Sequence, residues 1–227
     1  MFWREDNEKK DEYRVPDDVF DLVFKLRGEN LDIDHAHALS QALQQHLDDE
    51  TCARIGVHGI NMAASGNGWN RPEQIDAELP LSRRARLVIR VRQDDSDAVK
   101  QITNKTLRLG KQSLDVGASS IRKLSSLSTM YARAVCCDRE QLEDDFLQDV
   151  SEQLNAIGIK VSKMICGRSG AVRVGDEVIF TRALLVAELK PEESIRLQQQ
   201  GVGEGRLLGC GLFVPHKGIA AVYEIQD

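Results

Sequence analysis

Five histidines, His35, His37, His46, His58 and His216, are the side chains of this 227-residue chain best suited to moving protons near neutral pH, because a free imidazole titrates near ~6.5. Two of them stand in the run Asp32-Ile33-Asp34-His35-Ala36-His37, which opens a segment with apolar residues at helical spacing, Leu39, Ala42, Leu43 and Leu47. Asp32 or Asp34 is the expected N-cap, which puts His35 in the first turn, where the helix terminus attracts a phosphate and favours the neutral ring. The two carboxylates act in the opposite sense and favour imidazolium. On such a helix His37 points away from His35 and is expected at the surface. Asp32, Asp34, His35 and His37 match no zinc spacing, so no metal and no cofactor is expected there. His58 lies in a strand-like segment and is either a hydrogen-bonded core residue or a second site residue. His46 shares the stripe of Leu39 and Leu43 and is expected to pack.

Charge is uneven along the chain. Residues 1–50 carry 6 basic and 14 acidic side chains, net −8, whereas residues 83–135 carry 12 basic and 4 acidic, net +8, within an overall charge of −6. The overall sign argues against indiscriminate nucleic-acid binding, while the basic block leaves a local phosphate-binding field possible. Within that block Arg86, Arg90 and Arg92 alternate with Leu87, Ile89 and Val91, so a strand places the arginines on one face. The plain alternative is a solvated face neutralised by the acidic segments 1–50 and 138–152. No apolar run approaches the ~20 residues of a membrane span and the first residues are charged, so a cytoplasmic protein is expected. Five cysteines without C-x-x-C spacing are expected to be reduced and partly buried.

The elements that must position these groups repeat. Strand-like 19–28 is followed by helical 32–49, strand-like 53–61, a Gly- and Pro-containing loop over 62–80, strand-like 85–93, a short helix, and a last strand over 106–117 that doubles back at Gly110. The second half reads as strand 130–137, helix 139–158 with Leu142, Phe146, Val150, Leu154 and Ile157 on one stripe, two strands, helix 191–201 and strand 211–215. Both halves have the order β-α-β-β-α-β. The fold expected is therefore α+β, two tandem ferredoxin-like (RRM-like) domains, at 19–126 and 127–227, behind an acidic extension at 1–18.

Between the last helix and the last strand lies Gly201-Val202-Gly203-Glu204-Gly205-Arg206-Leu207-Leu208-Gly209-Cys210-Gly211-Leu212-Phe213-Val214-Pro215. It leaves a helix and enters a strand, the reverse of a dinucleotide fingerprint, and lacks a P-loop Gly-Lys-Ser/Thr. So many glycines imply close backbone approach, either to RNA or to the first domain, the plain alternative being a long turn with left-handed glycines.

This stretch resembles the C-terminal signature of the CRISPR-associated repeat endoribonucleases that process precursor crRNA, in particular their MYXAN subtype, with the pattern Gly-x-Gly-x-x-Arg-x-x-Gly-Cys-Gly-x-Phe-x-Pro. DHAHAL, IGVHGI, RRARLVIRV and LSTMYARAV extend the likeness over roughly residues 20–218. The resemblance implies two ferredoxin-like halves, binding of a repeat stem-loop, and metal-independent cutting on its 3′ side. It aligns His35 with the family's helix-one histidine, places His58 in its second-strand motif, and puts His37 where members often have Tyr. The activity implied is attack by the 2′-OH to give 2′,3′-cyclic phosphate and 5′-OH ends, with His35 as base or acid and His37 and His58 as further catalytic candidates. Arg83, Arg84, Arg86, Arg90, Lys105, Arg108, Arg122, Lys123, Arg133, Gly203, Gly205, Arg206, Gly209, Gly211, His216 and Lys217 are the RNA-binding candidates. The partners implied are CRISPR repeat RNA or crRNA, retained after cleavage, and other subunits of an interference complex. A non-catalytic crRNA-binding subunit is the alternative.

Overall fold

The computed structural model describes residues 13–61 and 78–216. Of the loop expected over 62–80, residues 62–77 lie outside the described residues, as do most of the acidic extension and Lys217, while 78–80 form a short strand instead of loop.

The first half is a five-stranded sheet in the order β3-β5-β1-β7-β6, built from β1 (Val19–Arg27), β3 (Gly56–His58), β5 (Arg86–Arg92), β6 (Thr106–Leu109) and β7 (Gln112–Lys123). Helices α1 (Ala36–Gln44), α2 (Asp49–Arg54) and α3 (Ser96–Lys100) connect these strands, and β2 (Asn30–Asp32) pairs with β4 (Glu78–Pro80) beside them. In β1 the alternation is explicit: Phe20, Leu22, Phe24 and Leu26 enter the core with Leu39, Ala42 and Leu43 of α1, while Asp21 and Val23 face the opposite side. The second half is a four-stranded sheet, β11-β8-β10-β9, made of β8 (Met130–Cys136), β9 (Lys163–Val174), β10 (Glu177–Ala187) and β11 (Phe213–Pro215). Phe146, Val150 and Leu154 of α4 (Glu143–Ala156) and Leu197 of α5 (Pro191–Gln200) cover its inner face. Both orders are those of antiparallel β-α-β-β-α-β units, so the molecule has two tandem ferredoxin-like folds.

Several local expectations change. Residues 53–54 close α2 instead of opening a strand, because Asp48 accepts from the Thr51 backbone at 2.8 Å and restarts the helix. Leu142 is exposed, since it stands at the N-cap of α4 before the stripe begins. His46 is exposed beyond the end of α1 and does not pack. All five cysteines are free thiols, Cys52 and Cys210 buried and the others half-buried.

The glycine-rich run joins the two halves. Val202 N–H donates to Gly211 C=O at 3.2 Å, and Gly211 N–H to Ala134 C=O of β8 at 2.7 Å. Leu207 packs against the first core, and a Cβ on Gly209 would come 3.1 Å from Val57 C=O in β3. At Gly211, φ is +67° and a Cβ would fall 2.1 Å from the Val202 carbonyl oxygen; Gly203, at φ +71°, has open space. Gly211→Ala is therefore expected to lower thermal stability severely, whereas Gly203→Ala should cost only the left-handed backbone penalty of about 1–2 kcal/mol. Comparable melting temperatures for the two variants in thermal denaturation would contradict this packing.

Candidate nucleic-acid interface between the two sheets

Strand pairing places Asp21 of β1 directly opposite Arg90 of β5 on one side and Arg122 of β7 on the other. Arg90 is 1% exposed and Asp21 3%. The Arg90 guanidinium donates to Asp21 through Nε at 2.9 Å and Nη2 at 3.4 Å, and its Nη1 crosses to the second half, donating to Gln198 C=O at 3.0 Å and Phe213 C=O at 2.9 Å. Arg122 adds a 2.9 Å bond to Asp21 Oδ2 from a half-exposed position. Despite the cost of burying the carboxylate, His58 and Arg90 hold Asp21 far below the usual carboxylate range. Arg90 was expected on a phosphate-binding face; that reading is corrected, because its guanidinium is buried and engaged by Asp21 within the sheet and by Gln198 and Phe213 across the interface.

Beside this pair opens a cleft of about 710 Å³ between the two sheets. Its walls include His35, His58, Asp34 and Asn61, the cationic residues Arg84, Arg86, Arg122, Lys123 and Arg133, and Tyr131, Val214 and Gly209 from the second half. The cations are anchored at its rim: Lys123 Nζ lies 2.7 Å from Asp17, Arg133 donates to Asn61 Oδ1 at 3.0 Å, and Arg86 to the Ala85 carbonyl at 2.7 Å. Arg83 is exposed just before β5 and gives its carbonyl to Arg86. Lys105 and Arg108 are exposed, Arg108 on β6 at the sheet's far edge, and neither lines the cleft. Arg206 turns inward, donates to the Gln200 carbonyl at 2.5 Å, and is pushed down to about 10 by burial and by the Arg90 charge. Gly203 and Gly205 lie on the accessible part of the glycine-rich run, and His216 is exposed 5.8 Å from the Tyr131 ring.

The histidines differ sharply. His35 is itself the N-cap of α1, in place of Asp32 or Asp34, and its side chain makes no cap bond. Its Nδ1 lies 2.8 Å from Asp32 C=O and its Nε2 accepts the Ile60 N–H at 3.0 Å. Those two bonds define a neutral ring with the proton on Nδ1, and burial lowers its pKa. In this arrangement both ring nitrogens of His35 are occupied, and it ties the start of α1 to the segment after β3. His58 lines the cleft with its side chain 14% exposed; its Nε2 stands 3.7 Å from Asp21 Oδ1 and has no hydrogen-bond partner among the described residues. Burial lowers its pKa too, opposed by Asp21. His37 is half-buried and outside the cleft. Asp34 faces Arg173 of β9 at 3.9 Å and Asp32 accepts from Gln112 at 2.8 Å, and among the described residues no three His, Cys, Asp or Glu side chains converge as a metal site.

Asp21, Tyr131 and Asn61 were not singled out from sequence. Asp21 had a legible signal: a carboxylate within the apolar run VFDLVF, matched by an arginine within RLVIRV.

Two measurements test this geometry. Arg90→Met leaves Asp21 charged and buried, which should cost about 3–5 kcal/mol in denaturant unfolding, with part recovered by adding Asp21→Asn. Equal stability of Arg90→Met and wild type would refute the buried pair. Because burial lowers the pKa of His35 and His58 in the folded state, the unfolded chain binds protons more tightly. Stability should be complete above ~6.5 and fall as pH drops below it. His35→Gln should flatten that fall, and an unchanged slope in urea titrations at pH 7.5 and 5.5 would count against a buried neutral ring.

Comparison with known proteins agrees with this architecture. The family model described as Cas6 Crispr matches residues 20–218. A CRISPR-associated endonuclease Cas6 of Myxococcus xanthus is 28% identical over 196 residues, covering 86% of this chain and 80% of its own. Among solved structures, a CRISPR-associated protein Cas6 superposes with a TM-score of 0.60 at 9% identity, over 88% of this chain and all of its own. A Cas6-related protein from Pyrococcus furiosus gives 0.61 at 13% identity, over 86% and 97%. With a family match spanning nearly every described residue and a common fold, the chain belongs to the Cas6 family of CRISPR proteins.

Proposed function

We propose that this protein is an endoribonuclease that binds CRISPR repeat RNA and cleaves precursor crRNA. In this reading the 2′-OH attacks the adjacent phosphate, without a metal, leaving a 2′,3′-cyclic phosphate and a 5′-OH, and the product stays bound. The single observation that carries it is the cleft between the sheets, where an imidazole and its carboxylate neighbour stand among Arg84, Arg86, Arg122, Lys123 and Arg133. Strand scission of this type needs a proton taken from the 2′-OH, a proton returned to the departing 5′ oxygen and cationic charge around a pentacoordinate phosphate; in this scheme one imidazole does the first and, as the imidazolium, the second, and the arginines and lysine supply the charge.

His58 is the proton-transfer group in this scheme, since its Nε2 is claimed by no hydrogen bond, and Asp21 steadies the imidazolium formed on proton uptake. Arg122, half-exposed and bonded to Asp21, has its remaining donors for the phosphate. His35 acts as a positioning residue through Asp32 and Ile60. A second reading, a subunit that retains crRNA without turnover, is favoured by the burial of that same His58 Nε2.

The test is incubation of the purified protein with repeat RNA of its own locus, with and without EDTA. Cleavage that survives chelator and disappears when the nucleophilic 2′-OH is replaced by 2′-H is expected. Binding without cleavage selects the second reading, and loss of activity in EDTA overturns metal independence. His58→Ala should lower the single-turnover rate about 10²- to 10⁴-fold with repeat affinity nearly retained. If His58→Ala cuts at the wild-type rate while His35→Ala, still folded, does not, the proton-transfer role belongs to His35.

A further inference from the structure

The open face of the second sheet carries a row of apolar side chains that neither core uses. Register pairs Val214 of β11 with Tyr131 of β8, Tyr131 with Leu185 of β10, and Leu185 with Ile165 of β9, so one residue from each of the four strands stands in line. Their chain neighbours Met130, Ala132, Leu184, Val186 and Phe213 are fully buried against the helices. The row therefore points the other way. Val214, Tyr131 and Leu185 are half-buried, and Ile165 is 52% exposed.

One end of the row is continuous with the basic cleft, since Tyr131 and Val214 form part of its wall. Cationic side chains flank it: Arg133 lies two residues beyond Tyr131 at a β-bulge, where Val135 and Ala132 of β8 face Arg182 and Leu184 of β10. At the other end Lys163, exposed, alternates onto the same face of β9 as Ile165. A phenol ring on a central strand, aliphatic neighbours to either side and cations along the margins are the chemistry that receives unpaired nucleobases, each stacking a π-face while the backbone follows the charge.

We infer that the row Val214–Tyr131–Leu185–Ile165 is a stacking platform for a single-stranded RNA segment leaving the cleft, Tyr131 holding the base next to it. This rests on the endoribonuclease reading, because that reading puts RNA in the cleft. A paired stem presents no free base faces, so the platform selects the unpaired part of the substrate.

The experiment compares two RNAs, the repeat hairpin alone and the hairpin with an eight-nucleotide unpaired tail, carrying either normal or abasic nucleotides, by fluorescence anisotropy. Wild type should prefer the normal tail over the abasic one. Tyr131→Leu should reduce that preference about fivefold or more, Tyr131→Phe should keep it, and Ile165→Asn, at an exposed position, should weaken tail binding while leaving affinity for the hairpin alone unchanged. Equal binding of normal and abasic tails by wild type, or a Tyr131→Phe variant as weak as Tyr131→Leu, overturns the platform. So does an Ile165→Asn variant that shifts the oligomeric state in sedimentation without touching RNA, which would make the row an interface between copies. Wild-type protein that cuts the hairpin but ignores the tail defeats the platform alone, whereas protein that binds neither RNA defeats the functional reading beneath it.

Discussion

Arg90 stands in the middle of a sheet face with its charge removed from water, and the relative placement of the two halves follows from how that charge is satisfied. Bringing an arginine and a carboxylate into a protein interior costs several kcal/mol per ion before any attraction is counted. Here the cost is offset because Asp21 is its cross-strand neighbour and because two carbonyls of the second half, Gln198 and Phe213, complete the guanidinium's hydrogen bonds. Those carbonyls lie at the end of α5 and in β11, so the first sheet reads the position of both elements flanking the glycine-rich run. Gly56 sits across from Arg90 on β3, where a Cβ would come 2.6 Å from the Leu212 side chain. Absence of a side chain there lets Leu212 lie against β3.

The cleft inherits its electrostatics from the same arrangement. Asp21 binds Arg90 on the buried side and Arg122 on the open side, with His58 above it. One carboxylate thus fixes a structural cation and a solvent-facing cation and lies 3.7 Å from an imidazole. Around it Arg84, Arg86, Lys123 and Arg133 concentrate positive charge in a protein whose total is −6. A field of this kind is local, since screening at physiological salt confines it to about 8 Å.

The glycine-rich run looks in sequence like a ligand-binding loop, yet much of its glycine content serves packing. Gly201 and Gly211 bring two backbone segments into contact, and Gly209 lets the chain lie against β3. Between Gly201 and Gly211, Gly203 and Glu204 are the most exposed residues, and Gly209 lines the cleft. The run packs against both halves close to where Arg90 also bridges them.

The amphipathic strands and helices, their repeated order and the two-fold ferredoxin-like plan were legible in the amino-acid sequence, because alternation in β1 and helical spacing in α4 are local consequences of which face must leave water. The basic block and the glycine-rich run were legible for the same reason, as composition within a short window. What the chain order could not convey was pairing at a distance. Arg86 and Arg90 have the same parity in one strand, yet Arg86 lines the cleft and Arg90 is sealed, since the second half covers only one of them. His35 and His58 are both family-matched histidines, but Ile60 N–H occupies the first ring and Asp21 approaches the second, and those partners lie 25 and 37 positions away. Desolvation and hydrogen-bond saturation depend on what the folded chain brings within 4 Å, a property of tertiary packing that residue type and spacing alone do not carry.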